Sequence, residues 1–263
     1  MLVNENSIKI ENTSIDYIKF GTGKKVLVLI PGVAIKRIKG MGLYAYRKYK
    51  IFANDYTVYL IDKRNKIPDD FTTKDIAQDY AYAIKQLGIE KADILSISYG
   101  GVIAQFLTIE HPELVNKLVL GVTLSKTNDT FEKCIARWTD LAANNKQGEL
   151  IVDVMEKTES DEYIRRFKHL FPLIKKYSSS MKLSRFISFM KISASAFPND
   201  RIRLIKCPVL VLGGMQDKVV TPEASFEIAK RLKCEIYMFE DYGHCAYHDA
   251  KDFNIRALEF YRK

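Results

Sequence analysis

Within the 263-residue chain, the segment Leu95-Ser96-Ile97-Ser98-Tyr99-Gly100-Gly101 sets a hydroxyl among small neighbours. An apolar run, residues 92–97, precedes it, and a helical pattern over residues 99–110 begins with no loop residues to spare. A turn that sharp puts its central residue into strained backbone geometry and lifts that side chain above the sheet edge. Residues two positions away must be small, and Ser96 and Gly100 are, with a further small residue, Gly101, next along. Ser98 would then stand at a helix N-terminus, where the dipole favours a developing negative charge. The chemistry this permits is nucleophilic attack. The competing reading is a helix-capping serine followed by packing glycines.

A serine hydroxyl needs a positioned base. Of the four histidines, His111 precedes a proline at a helix end, His169 lies in a helical region, and His248 falls near a helix start. His244, in Asp241-Tyr242-Gly243-His244, follows the last strand-like run and would reach the same sheet edge as Ser98. The base in turn needs an orienting carboxylate. Asp217 stands just past the strand before the last; in a parallel sheet the C-terminal strand ends line up, so Ser98, Asp217 and His244 can converge. Glu240 and Asp241 are too near His244 in sequence to reach it without folding back. Asp62 ends an earlier strand, in a run Asp62-Lys63-Arg64 that reads as a turn. An oxyanion hole needs two backbone N–H groups. Tyr99, after the serine, offers one. Pro31-Gly32-Val33 fits the other, with Gly32 allowing close approach and Val33 donating; the plainer reading of Pro31-Gly32 is a strand-ending turn.

The elements that would position these residues follow a rhythm of short apolar run, turn and helical pattern, which points to an α/β fold with a mostly parallel sheet. Strands are expected at 7–11 and 15–20, joined by a turn at 12–14, then at 25–30, 56–61, 92–97, 115–122, 208–212 and 235–239. Helices are expected at 43–53, 72–87, 99–110, from 221 onward and at the C-terminus, where Phe253, Ala257 and Phe260 share a face. Residues 126–198 contain no strand-like run. Ile164, Phe167, Phe171 and Ile174 fall on one helical face, as do Ile187, Met190, Ala194 and Phe197, so this block reads as an all-helical insertion. The chain then divides into a core, 1–125 with 199–263, and an insertion, 126–198.

Apolar residues make up 47% of the chain, enough for one large core. No window approaches the ~20 apolar residues of a membrane span, and the polar N-terminus does not read as a signal peptide. Cys134, Cys207, Cys234 and Cys245 lack metal-like spacing, which suggests free thiols in a reducing cytoplasm and no metal site; Cys207 and Cys234 are expected as buried fillers. The net charge is +9, with nine Lys/Arg and no acid across residues 17–54, and eight with no acid across residues 163–199. Either this is a solubilising surface, or it is a positive rim that attracts anionic substrates or an acidic membrane face. No nucleic-acid-binding motif accompanies it.

The chain resembles the α/β-hydrolase family over nearly its whole length. Ser96-Ile97-Ser98-Tyr99-Gly100-Gly101 resembles the family's nucleophile elbow, and the order Ser98, Asp217, His244 matches its serine, acid, histidine order. Two departures are the elbow's first glycine, here Ser96, and the frequent His-Gly of the oxyanion loop, here Pro31-Gly32. The resemblance implies an eight-stranded, mostly parallel sheet flanked by helices, with the block at 126–198 as a lid. It implies acyl transfer through Ser98, with no metal or organic cofactor. The expected partner is a small ester-like substrate, and the expected state a monomer or homodimer. Other triad chemistry (C–C bond hydrolysis, thioester cleavage, perhydrolysis) and a ligand-binding or signalling role remain the alternatives.

Overall fold

The apolar runs become strands covered on both faces. In the computed structural model, which describes residues 3–34, 36–178 and 183–263, the strands are β1 (Asn4–Ile10), β2 (Thr13–Phe20), β3 (Lys25–Ile30), β4 (Tyr56–Ile61), β5 (Ala92–Ile97), β6 (Val115–Gly121), β7 (Val209–Gly214) and β8 (Glu235–Phe239). They form one sheet in the order β1-β2-β4-β3-β5-β6-β7-β8. The pairs β1–β2 and β2–β4 are antiparallel and all others parallel. Successive residues of a strand face opposite sides. In β3, Leu27 and Leu29 accordingly enter one core cluster, and Val28 and Ile30 the other.

Helices α1 (Gly42–Tyr49), α2 (Thr73–Gln86) and α3 (Tyr99–Glu110) fall within the core's first part. α2 begins at a capping box, in which Thr72 N–H donates to Asp75 at 2.8 Å and the Thr72 hydroxyl oxygen accepts from Asp75 N–H at 3.3 Å. Gly88, at φ 69°, follows its end. Five helices fill the block between β6 and β7: α4 (Asp129–Ala143), α5 (Gln147–Thr158), α6 (Asp161–Phe167), α7 (Phe171–Ser178) and α8 (Ser184–Ser193). α9 (Pro222–Leu232), α10 (Ala246–Asp249) and α11 (Phe253–Arg262) complete the chain. Side chains of α2, α3 and α9 pack on one sheet face, those of α1 and α11 on the other. Phe131, Trp138, Phe186 and Phe189 of the helical block continue the α2–α3 cluster. Among the described residues, no helix is long and apolar enough to cross a membrane.

The structure shifts several sequence boundaries. The first hairpin turns on Glu11 and Asn12, not on 12–14, because Ile10 pairs with Thr13 and Glu11 takes φ 48°. The stretch at 43–53 is α1 followed by a tighter 3-10 turn, Lys50–Phe52. The periodic stretch 164–174 is two helices, separated by a 3-10 turn at Lys168–Leu170. Pro172 explains the break: it has no N–H to continue a helix and fits only a first turn. α8 ends at Ser193, so Ala194 and Phe197 leave its face. Cys207 and Cys234 are half-buried rather than fully covered.

Candidate active site

Strand β5 runs directly into α3, and the joint is Ser98 at φ 54°, ψ −127°. That left-handed conformation is costly for a residue with a Cβ, and it aims the hydroxyl away from the sheet. Its backbone is pinned on both sides: Ser98 N–H donates to Gly121 C=O at 2.8 Å, and Gly101 N–H donates to Ser98 C=O at 2.8 Å. Ser96 is fully buried, its hydroxyl donating to Val119 C=O at 2.8 Å. Gly100 is required by close approach, since a Cβ there would lie 2.2 Å from Ile30 O. At Gly101 it would lie 2.5 Å from the Thr123 hydroxyl oxygen. The first turn of α3 can therefore rest against the end of β3 and the loop after it.

Ser98, His244 and Asp217 form one hydrogen-bonded series. Ser98 Oγ lies 2.8 Å from His244 Nε2, and His244 Nδ1 lies 2.8 Å from Asp217 Oδ2. The other Asp217 oxygen accepts from Val219 N–H at 2.8 Å and Val220 N–H at 3.0 Å. An ionised carboxylate only accepts, so Nδ1 carries the proton and Nε2 is left to accept from the serine hydroxyl. His244 and Asp217 are both buried. The loops that carry them are laced together: Met215 N–H donates to Phe239 C=O, and Gln216 N–H to Tyr242 C=O, each at 3.0 Å. The other histidines lie elsewhere. His111 caps α3 and bonds Gln78 at 2.7 Å, His169 is in the helical block, and His248 pairs with Asp249 at 2.6 Å.

The series opens on a cavity of about 380 Å³, bordered by Gly32, Val33, Ser98, Tyr99 and His244. Such a volume suits a small ligand. The helical block supplies much of the opposite wall through Phe131, Trp138, Phe186 and Met190. Trp138 is held in place by donating to Asp153 at 2.8 Å. Tyr163 and Phe167 instead pack against each other with tilted rings, their centres 4.7 Å apart. The block also touches the histidine loop directly, where Cys245 N–H donates to Thr158 C=O at 2.8 Å. Among the described residues, no group of three or more His, Cys, Asp or Glu could hold a metal ion.

The run Asp62-Lys63-Arg64 is not the solvated turn its composition suggests; all three residues are buried. Lys63 Nζ donates to Pro31 C=O at 2.7 Å and Gly32 C=O at 2.9 Å, holding the loop that carries Val33. Burial brings its ammonium down to about 8; Asp62 opposes this and Arg185 adds to it. Arg185 of α8 reaches across to Asp62 at 3.0 Å and to Arg64 C=O at 2.8 Å. Arg64 in turn grips both oxygens of Asp79 at 2.6 Å. The one signal available in sequence was position: the run follows the C-terminal end of a strand, the edge where open α/β sheets place ligands. Replacing Lys63 by methionine is expected to free this loop and lower any turnover at Ser98 on the order of 10²-fold, within the range for losing an oxyanion donor. Steady-state kinetics beside a melting curve will separate that effect from loss of fold.

A family model described as the alpha/beta hydrolase fold matches residues 27–251. The chain belongs to the α/β-hydrolase family. It is similar to a 2-hydroxy-6-oxononadienedioate/2-hydroxy-6-oxononatrienedioate hydrolase of Burkholderia vietnamiensis, at 26% identity over 95% of this chain and 91% of that one. Among solved structures, an α/β-hydrolase enzyme from a Medee basin deep-sea metagenome library superposes with a TM-score of 0.84, at 19% identity and 98% coverage of both chains. An enol-lactonase from Burkholderia xenovorans gives 0.83, at 16% identity, over 98% of this chain and 100% of that one. At such identities these two structures establish the common α/β-hydrolase fold.

Proposed function

We propose that this α/β-hydrolase is a serine hydrolase that cleaves a carboxylic ester, or a related acyl bond, of a small to medium substrate. The observation that carries this reading is the unbroken series from Ser98 Oγ through His244 to the buried Asp217, opening on a cavity. In the proposed reaction His244 Nε2 takes the Ser98 proton as Oγ attacks the carbonyl carbon. The carbonyl oxygen becomes an oxyanion held by the Val33 and Tyr99 N–H groups. The tetrahedral intermediate collapses, His244 gives its proton to the leaving alkoxide, and an acyl-Ser98 ester remains. His244 then deprotonates water, which attacks that ester; collapse returns the proton to Ser98 and releases the acid. Every step uses protein groups and water alone. The helical block, 126–198, is read as the lid that roofs the pocket and selects what enters. The free thiols fit a reducing cytoplasm.

A second reading, C–C bond hydrolysis by the same three residues, is favoured by the name of the Burkholderia vietnamiensis relative. A fluorophosphonate probe is expected to label Ser98, read by peptide mapping, and p-nitrophenyl esters are expected to turn over with an acyl-enzyme burst. Label at Ser98 without ester turnover would favour the second reading. A folded protein that takes no label would leave a ligand-binding role.

A further inference from the structure

One end of the catalytic cavity is built differently from the rest. Lys48, in the last turn of α1, lines the cavity, and so do Tyr44, Tyr49 and Tyr247. The Lys48 ammonium lies over two of these rings, 4.3 Å from the centre of Tyr247 and 5.6 Å from that of Tyr49. It makes no ion pair or hydrogen bond among the described residues, and neither do the three tyrosine hydroxyls. Four hydrogen-bond donors thus share one cavity end with no protein acceptor. Tyr44 is exposed and the other three are half-buried, so a ligand entering this end would take the place of water on these donors. Burial already pushes the Lys48 ammonium down to about 8.

Asp249 and Cys245 are the groups whose fields reach Lys48. Asp249 is engaged by His248 at 2.6 Å. Glu159, at the end of α5, hydrogen-bonds both Asp249 and Cys245, and burial together with Asp249 pushes its carboxyl up to about 7. Burial likewise keeps the Cys245 thiol protonated. None of these groups neutralises Lys48 within ion-pair distance. The Tyr44, Tyr49 and Tyr247 hydroxyls are raised as well and stay neutral donors.

We propose that Lys48, with the hydroxyls of Tyr44, Tyr49 and Tyr247, forms a carboxylate-binding subsite, so that the preferred substrate is an ester carrying a carboxylate on the part that fills this end of the cavity. One ammonium with neutral phenols matches a single negative charge. A phosphate, largely dianionic at pH 7, would bring more negative charge than this single ammonium balances. The aromatic faces around the ammonium strengthen it as a fixed positive charge and exclude competing water. The subsite rests on the reading of Ser98 as the reacting group, because both border one cavity. It turns a diffuse expectation from the acid-free stretch 17–54 into a role for one of its nine cations.

The test compares matched p-nitrophenyl esters, butyrate as the neutral member and glutarate monoester as the charged one, at pH 7 and fixed low salt. The ratio of kcat/KM for glutarate over butyrate is expected to fall 10- to 100-fold in Lys48→Met, the range for one charge-assisted hydrogen bond. Lys48→Arg is expected to recover most of it. An unchanged ratio in Lys48→Met, whether or not both rates fall together, overturns the subsite and leaves the esterase reading standing. Glutarate binding to Ser98→Ala protein, followed by calorimetry with and without Lys48→Met, reads the subsite with no turnover at all. Lys48-dependent binding in a protein that hydrolyses neither ester would sink the esterase reading and keep the subsite. Glutarate affinity that Lys48→Met leaves unchanged would sink the subsite.

Discussion

Alanine at position 98 is expected to lower kcat for a p-nitrophenyl ester on the order of 10⁴–10⁶-fold, the loss typical when an activated serine is removed. In the proposed reaction Ser98 Oγ is the attacking atom, and it is the partner of His244 Nε2, so no neighbour can stand in for it. What survives should be the modest acceleration given by bound geometry and the Val33 and Tyr99 donors. The fold should be little affected. Alanine meets the same φ of 54° that serine meets, and among the described residues the hydroxyl makes no other protein hydrogen bond. Melting temperature is therefore the control, and kinetics are the measurement. Retention of a tenth or more of wild-type turnover would mean that the reaction does not pass through this side chain.

The second large effect is expected from Asp217→Asn, with a loss on the order of 10³–10⁴-fold in kcat. The reason lies in how the carboxylate is held. One oxygen accepts from Val219 and Val220 N–H, and an asparagine would leave its carbonyl oxygen there. Its amide nitrogen would then face His244 Nδ1, where the aspartate oxygen now sits 2.8 Å away. Two donors cannot face each other, so the imidazole would move its proton to Nε2. That is the wrong tautomer to receive the Ser98 proton. Asp217→Asn should thus preserve the packing and remove the base. A loss of less than about tenfold in steady-state turnover would point to another carboxylate as the orienting group.

The parts legible in sequence were those governed by local steric rules. A strand that meets a helix with no intervening loop leaves only one geometry for Ser98, and the small residues around it advertise that geometry. Asp217 and His244 were legible because parallel strands share an end, so position along the chain translated into position in space. The missed features depend on contacts between distant segments. Lys63 looks like an ordinary turn lysine until β3 and β4 pair and bring the Pro31 and Gly32 carbonyls to it. Arg185 could not be linked to Asp62 by any spacing rule, since 123 positions separate them. The helical block misled the periodicity for a different reason. Apolar residues kept a helical repeat from 164 to 174, although a 3-10 turn at Lys168–Leu170 splits the helix ahead of Pro172. Lys48 sits within a cationic stretch whose net charge was visible but whose individual neighbours were not.

The backbone at Ser98 also bears on how such a chain evolves. A side chain held at φ 54° costs about 1–3 kcal/mol, which a glycine at the same position would largely avoid. On the proposed reading, the serine carries a stability penalty in exchange for turnover. In a lineage where catalysis was no longer needed, drift toward glycine at the elbow would come with a gain in robustness.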